Sequence, residues 1–136
     1  MKISKWFSWS EATYLPQWKR LANEKDGLND EIKANLTKLF AKMDQIREHF
    51  GKPINVHVAY RSPEYNKLVK GASKSAHLQG LACDFDVKGL SCDDVRKDIL
   101  EHKLLDSLEL RMEDLPNSTW VHLDLMAPNP NRYFKP

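Results

Sequence analysis

The sequence predicts an α+β fold: a single domain with a small, mostly antiparallel sheet and helices packed on it. Three observations carry that expectation. Residues 30–50 place Ile32, Leu36, Leu39, Phe40, Met43, Ile46 and Phe50 mostly at three- and four-residue steps, the period of one long amphipathic helix. Four shorter stretches, 54–60, 81–87, 105–113 and 120–126, alternate apolar with other residues as half-buried strands do. A chain of 136 residues buries about two thirds of its unfolded surface, enough for one core and no second domain.

Each element has a local reason. Residues 1–27 are an aromatic-rich segment with Trp6, Phe7, Trp9, Tyr14 and Trp18, and a short helix is expected after Ser8 or Ser10, with a loop at Asp26-Gly27. Those rings suit packing on the core or a carbohydrate platform; packing is the commoner use of so much apolar area. Residues 28–126 form the core region. Its long helix, about Asp30 to Phe50, is stopped by Gly51 and Pro53. Ile54 to Tyr60 follows as a strand in which His57 is expected to be packed or hydrogen-bonded. Ser62-Pro63 begins a turn that opens a short helix through Val69, and a loop from Lys70 to Gly80 leads to a second strand, Leu81 to Val87. Alternation sets Ala82, Asp84 and Asp86 on one face of that strand and Leu81, Cys83, Phe85 and Val87 on the other. Ser91, with Asp94 three residues on, caps a helix to about Lys103. Leu105 to Glu113 and Trp120 to Met126 read as two strands joined as a hairpin across Asp114 to Ser118, and residues 127–136 as an irregular tail.

Composition narrows the function. With 21 basic and 19 acidic residues the formal net charge is +2, which argues against nucleic-acid binding, where one face is usually strongly basic. Arg61, Lys67, Lys70 and Lys74 do gather, either as a solvated face or as an attraction for an anionic polymer. Cys83 and Cys92 are too few for a disulfide framework or a four-cysteine metal site and read as free thiols. The opening M-K-I-S-K-W-F-S-W-S lacks the apolar core of a signal peptide, and no stretch approaches a membrane span. The expectation is a monomer, made in the cytoplasm without its own export signal and not bound to membrane.

The chemistry concentrates in Ser75 to Asp84, S-A-H-L-Q-G-L-A-C-D, and in Thr119 to Asp124, T-W-V-H-L-D. A catalytic zinc takes three nitrogen or oxygen ligands from the protein and keeps a fourth position for water, and His77, Asp84 and His122 would supply that set. A histidine near an aspartate is ordinarily only a hydrogen-bonded pair. What raises the odds is the filler: Gly80 permits a turn that a bulky residue would forbid, Ala82 leaves room beside Asp84, and Ser75 offers a hydroxyl next to His77.

These motifs resemble the zinc D-Ala-D-Ala carboxypeptidases and their relatives that cut peptidoglycan peptides, among them L-Ala-D-Glu endopeptidases of phage lysins. The signature S-x-H-x-x-G-x-A-x-D, followed later by W-V-H, is present in order. Upstream, I-N-V-H-V-A-Y-R-S-P-E-Y-N from Ile54 to Asn66, then Val69 and Gly71, is similar to the family's strand and Tyr-Arg-Ser-Pro turn, so the resemblance spans roughly residues 30–126. It implies a hedgehog-like fold, a zinc cofactor on His77, Asp84 and His122, a peptidoglycan peptide as substrate, and Arg61 as the arginine that binds substrate or stabilises the developing oxyanion. Ser75 joins Arg61 as a substrate-binding candidate. A phage endolysin-like enzyme would reach the wall through a separate pore or with the virion.

The general base is where the sequence departs from its relatives, several of which carry an acidic residue or a second histidine just before the last ligand; here those places hold Thr119 and Trp120. Glu113 is the first candidate, because the simplest hairpin register sets it on the face of His122, with Asp114 second and Asp124 third. Asp124 fits better as a group that orients His122. Two other classes stay open: a zinc-bearing binding module without peptidase activity, and a structural virion protein on the same fold. Carboxypeptidase and endopeptidase activities share these ligands, so the bond cut is not specified.

Overall fold

The computed structural model describes residues 1–136. The N-terminal segment contributes α1 (Trp9–Thr13), capped by a reciprocal Ser8–Glu11 capping box, and a two-stranded ribbon of β1 (Tyr14–Leu15) and β2 (Arg20–Leu21). The ribbon was not expected from the sequence. α2 (Asp30–Phe50) runs as expected, with Asn29 accepting a hydrogen bond from the Ile32 amide and Gly51 closing the helix in the left-handed conformation. Leu36, Leu39, Phe40, Met43 and Ile46 are its buried stripe.

β3 (Ile54–Val58), α3 (Pro63–Leu68), β4 (Ala82–Val87) and α4 (Cys92–Glu101) follow where the patterning placed them, α3 starting with Ser62 as its cap and Pro63 in its first turn. Ser91 accepts a hydrogen bond from the Asp94 amide. The next segment corrects the sequence reading. Leu105 to Glu113 is not one strand: it divides into α5 (Leu104–Leu108) and a three-residue β5 (Arg111–Glu113), with Lys103 and Glu109 in left-handed backbone on either side of α5. The cause is a degenerate pattern. Leu105 and Leu108, three apart, bury on one helical face as well as an alternating strand would bury Leu108, Leu110 and Met112, and a short apolar run fits both periods.

β6 (Val121–Asp124) pairs with β4, and β7 (Tyr133–Phe134) completes a five-stranded sheet of order β3-β4-β6-β5-β7. All pairs are antiparallel except β5 with β7. β7 is a second correction, since the tail was expected to be irregular. A two-residue strand has no pattern of its own to read; Met112 and Asp114 hold it by donating amide hydrogen bonds to the carbonyls of Arg132 and Phe134.

The sheet has two unlike faces. Cys83, Phe85, Val87, Met112, Val121 and Leu123 join the α2 stripe in the apolar core, while Asp84, Glu113, His122 and Asp124 share the opposite face. Of the N-terminal rings, Phe7 is buried edge-on against Phe40, Trp9 and Trp18 pack on the core, and Trp6 and Tyr14 stay exposed. Both cysteines are buried free thiols. His57 is hydrogen-bonded across the strands to Asp86 at 2.6 Å, as anticipated. No helix is long and apolar enough to cross a membrane.

Candidate metal centre

Asp84 and His122 are direct partners in the antiparallel β4–β6 register, so their side chains leave adjacent strands on one face. His77 arrives from a short 3-10 turn, Ala76–Gln79, capped by the Ser75 hydroxyl, which accepts from the His77 amide. Ser75, a substrate-binding candidate, therefore has a structural task in holding that turn. Gly80 ends the turn at φ 71°, and a Cβ there would lie 3.0 Å from both the side chain and the carbonyl oxygen of Ile32. Left-handed backbone and close approach to α2 both call for glycine.

The three candidate ligands are buried, and one donor atom from each lies within 4.8 Å of the others. His77 Nε2 is 3.2 Å and His122 Nδ1 2.9 Å from the same oxygen, Asp84 Oδ1. The outer nitrogens fix which inner ones carry lone pairs. His77 Nδ1 is 2.6 Å from the Ala59 carbonyl, which can only accept, so that nitrogen donates. His122 Nε2 likewise donates to Asp124 Oδ2 at 2.8 Å. In the neutral rings, two imidazole lone pairs thus face a carboxylate oxygen at hydrogen-bond distance, three acceptors converging on one point. A cation resolves that arrangement, and the carboxylate and carbonyl behind the rings are the partners that metal-bound histidines typically have.

Electrostatics agree. Burial alone would raise the Asp84 carboxyl, but the charge of His77 and hydrogen bonds from His122 and His77 hold it well below the usual carboxylate range. Burial alone would lower His122, yet Asp124 and Asp84, with help from Glu113, raise it to about 9. The pocket attracts positive charge, which a proton supplies when no metal is bound. Asp124 is itself fixed: it accepts two hydrogen bonds from Arg111, at 2.8 and 3.0 Å, and one from the Met126 amide.

The acidic candidates separate clearly. Glu113 Oε1 is 3.1 Å from His122 Nδ1, beside the ligand set, and its side chain remains partly exposed. Asp114 accepts from the Tyr133 hydroxyl at 2.9 Å, and Asp124 is completely buried. Arg61 also reaches the site, with Nη2 3.5 Å from Asp84 Oδ2 and Nη1 3.3 Å from Asn66 Oδ1. Its Nε is buried without a partner. The guanidinium thus has donor capacity that the protein itself leaves unused.

Four positions contribute that the sequence does not single out for this role. Asn66 orients Arg61 while donating to the Ala72 carbonyl at 2.9 Å, and the absent side chain of Gly71 leaves the room, since a Cβ there would fall 2.0 Å from Asn66 Oδ1. Arg111 braces Asp124, a pairing available from the hairpin register, in which the two are direct partners. Phe134, in the tail, stacks under the Arg111 guanidinium at 4.0 Å and stands edge-on to His122. Lys67, Lys70 and Lys74 are exposed.

A family model for peptidase M15 matches residues 17–124, a span holding all three candidate ligands, Arg61 and Glu113. This chain belongs to the peptidase M15 family. Peptidases of this family are zinc-dependent, and the donor set fits that metal: two imidazoles and one carboxylate, the number and type that a catalytic zinc takes from protein. No curated protein matches the chain.

Proposed function

We propose that this chain is a zinc-dependent metallopeptidase that hydrolyses peptide bonds in peptidoglycan stem peptides or cross-links, as a D-Ala-D-Ala carboxypeptidase or endopeptidase of the phage endolysin type. The observation that carries the proposal is the convergence of lone pairs from His77, Asp84 and His122, each ring locked from behind, with one further carboxylate, Glu113, beside them. A site built only to hold a metal has no need of that additional acid.

His77 Nε2, Asp84 and His122 Nδ1 would hold the ion. When bound, zinc supplies a Lewis acid for the peptide carbonyl and lowers the pKa of water from about 15.7 towards 7. Glu113 accepts the proton as water adds to the carbonyl and returns it to the departing amine, a role open to it because its carboxylate is neither fully buried nor paired with an arginine or lysine. Arg61 meets the negative charge of the substrate, a terminal carboxylate or the developing oxyanion, with donors that Asn66 holds in plane. Ser75 acts chiefly by seating His77. The enzyme would be made in the cytoplasm and act on the wall after release through a separate pore or as part of a virion.

Digestion of purified peptidoglycan, followed by mass spectrometry of the muropeptides, tests the proposal. The expected result is a single class of cleaved peptide bond, lost on chelation and restored by zinc. Intact muropeptides after treatment with folded, zinc-loaded protein would overturn the enzymatic reading and leave a metal-bearing binding or structural module.

Arg61→Lys keeps the charge but not the planar fork. A charge-assisted hydrogen bond is worth about 1.5–3 kcal/mol, so the variant is expected to lose roughly tenfold or more in kcat/KM while retaining its zinc. Wild-type turnover would reassign Arg61 to a structural role.

A further inference from the structure

A second group of two imidazoles and one carboxylate lies away from the centre described above: His49, Asp98 and His102. His49 belongs to the last turn of α2, Asp98 to α4, and His102 is the residue that ends α4. Asp98 and His102 are four apart and so share one face of the helix. Along α2, His49 is 17 residues beyond Ile32, which packs on Gly80 of the first centre; at 1.5 Å per residue this is about 25 Å of helix.

The geometry repeats that of the first set. Both imidazoles approach one carboxylate oxygen, His49 Nε2 at 2.6 Å and His102 Nδ1 at 3.2 Å from Asp98 Oδ1, against 3.2 and 2.9 Å around Asp84. The ring centroids are 4.8 Å apart at 66°, against 5.3 Å at 70° for His77 and His122. Exposure is the difference, for these side chains are 24, 37 and 53% accessible. An ion can enter from solvent, and water can complete its coordination.

The location also favours a cation. α2 and α4 both end here, and the unpaired carbonyls of a helix C-terminus carry partial negative charge. His102 Nδ1 lies 2.9 Å from the Asp98 main-chain carbonyl, as a donor, and a small turn of this half-exposed ring would exchange that bond for a metal bond.

We propose that His49, Asp98 and His102 form a second, surface site for a late first-row divalent ion, of which imidazole-rich sets bind zinc, nickel and copper well and magnesium or calcium poorly. The bound ion clamps the end of α2 to the end of α4. Its affinity is lower than that of the buried centre, because the ligands are mobile and in competition with water.

Equilibrium dialysis of the full chain against micromolar free Zn²⁺ tests the site. Wild-type protein is expected to bind one equivalent more than the His49→Ala/His102→Ala double variant. Added Zn²⁺ should raise the melting temperature of the wild type by several degrees beyond its effect on the variant, with no such difference in Mg²⁺. Hydrolytic activity is expected to be unchanged. Equal zinc binding by the two proteins overturns the proposal, whatever the stoichiometry at His77, Asp84 and His122, and leaves an inter-helix ion pair. Should the double variant not fold, His102→Ala alone, at an exposed position, gives the same comparison.

Discussion

Replacing His77 and His122 together by glutamine is expected to abolish tight zinc binding and reduce hydrolysis to background. Glutamine can keep a hydrogen bond to the Ala59 carbonyl or to Asp124, the outer partners of the two rings, but offers no imidazole lone pair to the ion. Alanine is the harsher choice. Removing one partner of a buried charged pair costs about 3–5 kcal/mol, and Asp84 would be left with only the 3.5 Å contact from Arg61. Metal analysis after dialysis into metal-free buffer reads the result, since that step strips the exposed His49–Asp98–His102 group as well. One tightly held zinc is expected in wild type and none in the variant, with circular dichroism to show that the fold survives. Stoichiometric zinc in a folded double variant would sink the assignment of the ligands.

That experiment follows from candidate ligands legible in the sequence, because a metal-binding set is a pattern of side-chain types at fixed spacing. His77, Asp84 and His122 are separated by turn-forming and small residues whose tasks can be named one by one. The same holds for α2, whose twenty-one residues repeat the helical period several times, and for the cap at Ser91, whereas the choice of Ser8 over Ser10 and the capping by Ser62 come from the structure. Alternation together with the simplest hairpin register puts Glu113 on the face of His122, and the β5–β6 register, continued by one pair, sets them opposite each other.

What the sequence hid depends on packing between distant segments. α5 reads as strand because Leu108, Leu110 and Met112 alternate, while Leu105 and Leu108 fit a helical step equally well, and the choice is made by the core surface they meet. β7 exists only because β5 offers it an edge, and with β7 comes Phe134 against Arg111 and His122. The seat of Arg61 is a similar case. It requires Asn66 from α3 and the bare backbone of Gly71 to occupy one small volume.

Glu113→Gln is expected to leave fold and zinc intact and lower kcat by about 100-fold or more, the usual scale for general acid-base catalysis. Glutamine preserves the volume of the side chain and its contact near His122 Nδ1, but cannot take a proton. The other two acids are poor substitutes for concrete reasons. Asp124 spends its oxygens on Arg111, His122 and the Met126 amide, and Asp114 is engaged by Tyr133. Asp114→Asn should therefore be nearly silent, whereas Asp124→Asn should act through the metal, loosening zinc by freeing His122 to rotate or change tautomer. Measuring zinc content beside turnover separates the cases: full zinc with lost turnover for Glu113→Gln, and lost zinc with lost turnover for Asp124→Asn. Near wild-type turnover in Glu113→Gln, with zinc bound, would remove Glu113 from the mechanism and place the proton acceptor on another group, while leaving the ligand set untouched.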